Sequence, residues 1–352
     1  MNKLTKVGCS ALCGSLAAIS AANAGDLSVT GSAHLTYVSL GGTGDTTVGN
    51  PIGMQSNVTF KGSGELDNGW TFALSIADGD GGAYSSSNID IVMGGFGSLN
   101  FDQGDSGNGI AAYDNVMPTA WEEAHGAGLS GDVKTVLGAG ASQNIMYTSP
   151  TLFGTTVALT YAHDYGATDG ADKSTVKTEN ETGAAYDATI KINPSLGTEI
   201  LSGLNLYLGA SVVDANQNTS EQDDAYEGVV AATFALGPVD LGYMVSGLYS
   251  GENNEADAYH TYKNNAYGIA FNINDDLSVS YGTYTSRKAG YAHAENVITT
   301  AEEDRMVEVT SWQAAYTMGG ASFRVADVQA DNAGFSSAND QTATVLSLSL
   351  AF

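Results

Sequence analysis

The last stretch of the chain restricts the possible folds more than any other. Counting back in twos from Phe352 gives Leu350, Leu348, Leu346, Thr344 and Thr342, while Ala351, Ser349, Ser347, Val345 and Ala343 fall on the offset positions. Side chains on a strand alternate faces with period two, so this is a strand with one greasy face and one small, mostly polar face. Ending a soluble edge strand on an exposed Phe would invite aggregation there. The segment therefore asks for oil on one side and water on the other.

The same alternation runs through most of the chain. Leu27, Val29, Leu35 and Tyr37 oppose Ser28, Thr30, Ser32, His34 and Thr36, and Trp70, Phe72, Leu74 and Ile76 oppose Thr71, Ala73, Ser75 and Ala77. Asp67-Asn68-Gly69 is a tight-hairpin signal between two such runs. Further runs fall at 58–66, 89–93, 99–101, 142–149, 157–161, 186–192, 204–212, 225–236, 239–249, 262–273, 277–287, 305–318 and 321–330, giving about sixteen strands long enough to cross a bilayer. In 305–318 the register is ambiguous, because Trp312 and Tyr316 mark one face and Val307 and Val309 the other. Connections after odd strands read as long and acidic, and those after even strands as short, as at Gly94 to Gly97, Gly237-Pro238 and Gly319-Gly320. The turn region from Asn193 to Gly203 is the exception. Alternation lapses longest from Gly104 to Gly140.

Residues 1–24 stand apart from this pattern. Lys3 and Lys6 precede an apolar run closed by Ala22-Asn23-Ala24, the layout of a secretory signal peptide cleaved before Gly25. Cys9 and Cys13 both lie within it, so the mature chain of 25–352 has neither disulfide nor thiolate chemistry. The formal net charge is −27, and removing the signal takes away two cations and no acid. Such acidity excludes nucleic acid as a partner. Past the signal no apolar run approaches the roughly eighteen residues of a transmembrane helix.

In lipid every backbone polar group must be paired internally, so strands cross only as a closed cylinder. The expected fold is all-β: a transmembrane antiparallel β-barrel with long external loops and short periplasmic turns. At this strand number the interior holds water rather than a packed core. The tail, with Leu348, Leu350 and Phe352 on one face, resembles the assembly signal of bacterial outer-membrane barrels. The whole mature chain resembles the general diffusion porins of Gram-negative bacteria, in particular the alphaproteobacterial type. That resemblance rests on Gly25 to Ala33, Phe60 to Trp70, Tyr147 to Pro150 with Phe153-Gly154, and the tail. It implies an outer-membrane homotrimer amid lipid and lipopolysaccharide, passing small hydrophilic solutes, with its third external loop, here 104–140, folded into each pore.

If that loop narrows the pore, Asp105, Asp114, Glu122, Glu123 and Asp132 are its candidate acids, and strand parity turns His34, Lys61, Lys191 and Arg324 inward to face them. Opposed charges across a narrow passage orient dipolar solutes, and the scarcity of cations suggests a modest cation preference. Carboxylates at Asp78 to Gly82, Asp223-Asp224, Asp275-Asp276 and Glu302 to Asp304 offer hard oxygen ligands, so a structural Ca²⁺ is conceivable, with its ligands unassigned. No other cofactor is implied. His163-Asp164 lacks an accompanying nucleophile, so an enzyme is not expected. Two alternatives are a substrate-selective channel, for which Tyr207 and Tyr284 at inward parity are too few to form an aromatic ladder, and a secreted acidic calcium-binding surface protein or adhesin.

Overall fold

The computed structural model describes residues 25–43, 49–79, 82–104, 107–166, 183–194, 201–215, 223–251, 259–290, 305–337 and 339–352. The expected signal segment, 1–24, lies outside them, as does 302–304. The strands are β1 (Leu27–Gly42), β2 (Ile52–Glu65), β3 (Thr71–Gly79), β4 (Gly82–Val92), β5 (Ser98–Asp102) and β6 (Asn144–Thr148). Next come β7 (Thr155–Ala162), β8 (Ala185–Ile192), β9 (Leu204–Val213), β10 (Ala225–Leu236) and β11 (Val239–Tyr249). The set ends with β12 (Tyr259–Asn272), β13 (Leu277–Gly290), β14 (Arg305–Met318), β15 (Ala321–Asp331) and β16 (Gln341–Ala351). Each pairs antiparallel with its sequence neighbours, and β1 pairs with β16 from Ser32 opposite Ala351 to Gly42 opposite Gln341. The sheet therefore closes into a barrel without an edge.

The seam is finished by the last residue. Gly31 N–H donates to the Phe352 carbonyl and Phe352 N–H to that of Gly31, each at 2.9 Å. The Phe352 ring lies over Gly31, where a Cβ would come within 2.5 Å of the ring Cζ, so the close approach uses the missing side chain. Leu348 and Leu350 share the outward face of β16 with Phe352, while Ser347 and Ser349 are buried on the inner one.

Connection lengths sort as expected, with two departures. Between β8 and β9 the connection is long for its class. Between β3 and β4 the expected Gly/Ser loop is instead a strand extension: pairing continues to Gly79 opposite Gly82, with a register shift after Ala77.

The ambiguous register of β14 resolves into one strand. Trp312, Tyr316 and Met318 are exposed on the outer face, whereas Val307 and Val309 are fully buried on the inner one. They are covered by the segment between β5 and β6, which runs inside the barrel. Two apolar clusters join that segment to the inner wall. One holds Ala127 with Val307, Val309, Ala326, Val328, Ala330, Ala343 and Val345, and the other holds Ile110 and Val136 with Val229, Ala231, Met244, Ala266 and Tyr284. Apolar side chains at inward positions are thus the wall's footprint of the segment, not a break in the strand pattern.

A charge buried in that footprint has no partner to compensate it. Val309→Asp is expected to cost about 3–5 kcal/mol and to lower the unfolding midpoint read by heat-modifiable gel migration in detergent. Ser75→Asp, inward on β3 opposite Lys61, should leave the midpoint unchanged. Equal midpoints for both variants would show that the segment does not cover Val309.

Candidate functional site

The interior site is built by one irregular segment and the wall that receives it. Leaving β5, Asn108 donates through Nδ2 to Asn100 Oδ1 at 2.7 Å and Asn144 Oδ1 at 2.8 Å, which ties the segment's start to its own flanking strands. A short 3-10 turn, Gly109–Tyr113, then meets β8 and β9, and Met117 and Pro118 pass over Gly242 of β11 and Gly268 of β12. At β13 and β14 the contacts are polar. Ala120 N–H donates to Ser280 Oγ at 2.9 Å. The Gln313 amide oxygen accepts from Thr119 Oγ1, Trp121 N–H and Glu122 N–H at 3.0–3.1 Å, while its nitrogen donates to the Glu122 carbonyl at 2.7 Å.

Beyond this anchor the segment reaches β16, with Gly128 against Val345, and turns back. On its return Lys134 N–H donates to Ser286 Oγ and the Lys134 carbonyl accepts from Tyr284 Oη, both at 3.0 Å. Leu137 and Gly138 then reach Glu227 on β10, and Ala139 reaches Asp187 on β8. These contacts all fall on β8 to β16. The inward side chains of β1 to β4, which include Ser28, Thr30, His34, Asn57, Lys61, Ser75 and Asp90, face the barrel interior across from them.

The expected site residues separate into groups. Glu122 is half-buried, and its carboxyl is raised by burial while Arg324 and then His34 pull it down, so these three side chains face one another. Arg324 also lies 5.8 Å over the Trp121 ring. Below them is a polar cavity of about 390 Å³ lined by Trp121, Glu122, Asn272, Asp275, Asp276 and Arg324. Asp114 is instead buried against the wall, where burial first and the Glu123 charge second lift its carboxyl to about 7. Glu123 is half-buried and likewise raised by burial, its own N–H lowering it and Glu122 raising it further.

Asp132 is exposed at a positive φ of 62°, and its N–H donates to Ser130 Oγ. Lys61 points inward on β2 opposite Ser28 and Ser75. Lys191 on β8 lies 5.5 Å over the ring of Tyr207, which meets Tyr113 edge-on at 5.2 Å. Asp105 lies outside the described residues. Tyr284 is buried beneath the segment beside His125, whose imidazole burial lowers to about 4 and so keeps neutral.

Gln313, Asp187 and Glu227 were not singled out from sequence. Their signal was a large polar or charged side chain at an inward strand position, where most residues are small. Among the cations that went unmarked, Lys134 on the segment and Lys288 at the end of β13 lie over the rings of Tyr262 and Phe335 at 6.0 and 5.0 Å. Among the described residues no three His, Cys, Asp or Glu side chains are grouped to hold a metal ion, and no helix is long and apolar enough to cross a membrane.

A family model described as Gram-negative porin matches residues 8–352. Among solved structures, OmpF of Salmonella typhi in complex with daunomycin is similar at 13% identity and a TM-score of 0.63, covering 93% of this chain and 97% of that one. The outer-membrane channel DcaP of Acinetobacter baumannii is similar at 10% identity and 0.64, with 93% and 97% covered. An anion-selective porin from Comamonas acidovorans is similar at 15% identity and 0.60, with 93% and 99% covered. Comparison with curated proteins gives no match.

Asp114 makes docking of the segment pH-dependent. In an undocked segment it would ionise near 3.8, whereas in place it holds its proton to about 7. Its contribution to stability is therefore lost as pH rises from about 4 to about 7 and is flat above. Asp114→Asn should remove that decline, worth up to about 4 kcal/mol, from thermal midpoints measured between pH 4 and 8. His125, buried neutral, acts in the opposite direction in acid and is common to both proteins. Identical pH slopes for the two would remove the assignment.

Proposed function

Since the chain belongs to the Gram-negative porin family, and family and fold are those of non-enzymatic outer-membrane channels, we propose that it passes small hydrophilic solutes and ions by diffusion, with a weak preference for cations. The observation that carries this reading is the position of 107–143: docked on β8 to β16 inside a closed barrel, it sets Glu122 before His34 and Arg324 across from a wall of small polar side chains. Hydrated solutes suit such a passage, because its Ser, Thr and Asn groups replace lost water contacts without binding tightly enough to delay exit.

Opposed charges at this point would align dipolar solutes and disfavour long apolar ones. A dedicated substrate channel finds less support, since Tyr284 is covered by the segment and Tyr207 is packed against Tyr113. The same reading takes the working form to be a homotrimer set in lipid and lipopolysaccharide, exported by its 1–24 segment.

Reversal potentials across planar bilayers test it. The purified protein should form ohmic channels with a potassium-to-chloride permeability ratio modestly above unity. Glu122→Gln should lower that ratio by about two- to fivefold, the effect of one charge in a medium between water and protein, and Arg324→Ala should raise it. Clear anion selectivity of the unaltered protein would overturn the proposed preference.

A further inference from the structure

Two carboxylates project from the inner wall at the place where the interior segment both enters and leaves. Asp187 of β8 is buried, and it spends both oxygens on the segment: Oδ2 accepts from Ile110 N–H at 2.9 Å and Oδ1 from Ala139 N–H at 3.0 Å. Glu227 of β10 spends one, since Oε2 accepts from both Leu137 N–H at 2.8 Å and Gly138 N–H at 2.9 Å. The outgoing leg is thereby pinned to β8 and the returning leg to both β8 and β10, the two strands that flank β9. The backbone is shaped around the first carboxylate. Gly109 and Gly138 both have positive φ, 62° and 50°, and a Cβ on either would stand 2.0 Å and 2.6 Å from Asp187 Oδ2.

Each of these carboxylates accepts from two backbone N–H donors of the segment, a charge-assisted arrangement in which backbone dipoles meet the charge. The remaining anchors of the segment differ in kind: Gln313, Ser280 and Ser286 are neutral, and the apolar clusters are non-directional.

Resting on the channel reading above, we propose that Asp187 and Glu227 form a two-point latch that positions the interior segment and thereby sets the width and steadiness of the passage. Both act as positioning residues, through the segment, on whatever permeates. The geometry separates their tolerance to amide substitution. Asn at 187 turns one of two engaged oxygens into an NH2 group facing an N–H, so it places donor against donor. Gln at 227 can keep its single oxygen on both donors.

The test uses the full-length protein refolded in detergent, with two readouts. Amide hydrogen exchange should show Ile110, Leu137, Gly138 and Ala139 protected in the unaltered protein and in Glu227→Gln. Ile110 and Ala139 should become several-fold faster in Asp187→Asn, and Leu137 and Gly138 in Glu227→Ala. Single-channel records of Asp187→Asn and Glu227→Ala should show larger mean conductance and several-fold more time in subconductance levels, with Glu227→Gln restored, and heat-modifiable migration should confirm an intact barrel in each. Should Asp187→Asn fail to assemble, Glu227→Ala against Glu227→Gln carries the test. Unchanged exchange in these variants overturns the latch even if channels form. Loosened exchange with unaltered conductance overturns its role in permeation. An unaltered protein that protects these amides yet conducts nothing overturns the channel reading and, with it, the role assigned to the latch in permeation.

Discussion

A strand surrounded by hydrocarbon can satisfy its N–H and C=O groups only on another strand. That requirement cannot be met one hairpin at a time, because every open sheet leaves two unpaired edges. In this chain it is met at the contact between β1 and β16, where the first and last strands form the final ladder and Gly31 and Phe352 exchange both hydrogen bonds. The alternation of side chains, the ordering of long and short connections, and the position of both ends beside the short turns all follow from closing the tube. An even strand number is what returns the last strand to the first on the same side.

Closure creates a second problem, since a barrel of this width encloses more space than its own side chains fill. The interior segment is the answer that the structure gives. It is held along β8 to β16 by apolar patches for contact area and by hydrogen bonds for position. The two kinds of contact do different things. Val307, Val309, Val328 and Val345 would accept any apolar surface of about the right shape, whereas Gln313, with three donors on one oxygen, accepts one backbone path only.

The barrel could be read from the sequence almost strand by strand, because period-two alternation and glycine turns are local signals. The interior was legible only in part. Parity assigns His34, Lys61, Lys191 and Arg324 to inward strand positions as a matter of strand geometry, but which acid they meet depends on the path of a segment without periodicity. Asp114 and Glu122 are equivalent on paper, yet one is pressed against the wall and the other faces Arg324 and His34. The doubtful register of β14 had the same source. Val307 and Val309 contradict a wet lumen until the segment that covers them is known. Asp187, Glu227 and Gln313 bind backbone N–H groups, and no residue pattern encodes where those lie.

The charge of the whole chain and the charge met inside the passage are consequently different quantities. A net charge of −27 suggests a deeply negative pore, but several interior acids are not available to a passing ion. Asp187 and Glu227 are occupied by N–H donors, and Asp114 holds its proton to about 7. Glu122 is opposed by Arg324 and His34, and Lys61 stands on the free wall. Other acids, such as Asp164, Asp214, Asp223, Asp331 and Asp340, sit at the ends of strands or in the long connections. Their field decays within about 8 Å at physiological ionic strength. The proposed cation preference accordingly arises from two separable sources: a rim contribution that fades with added salt, and a short-range balance around Glu122 that does not.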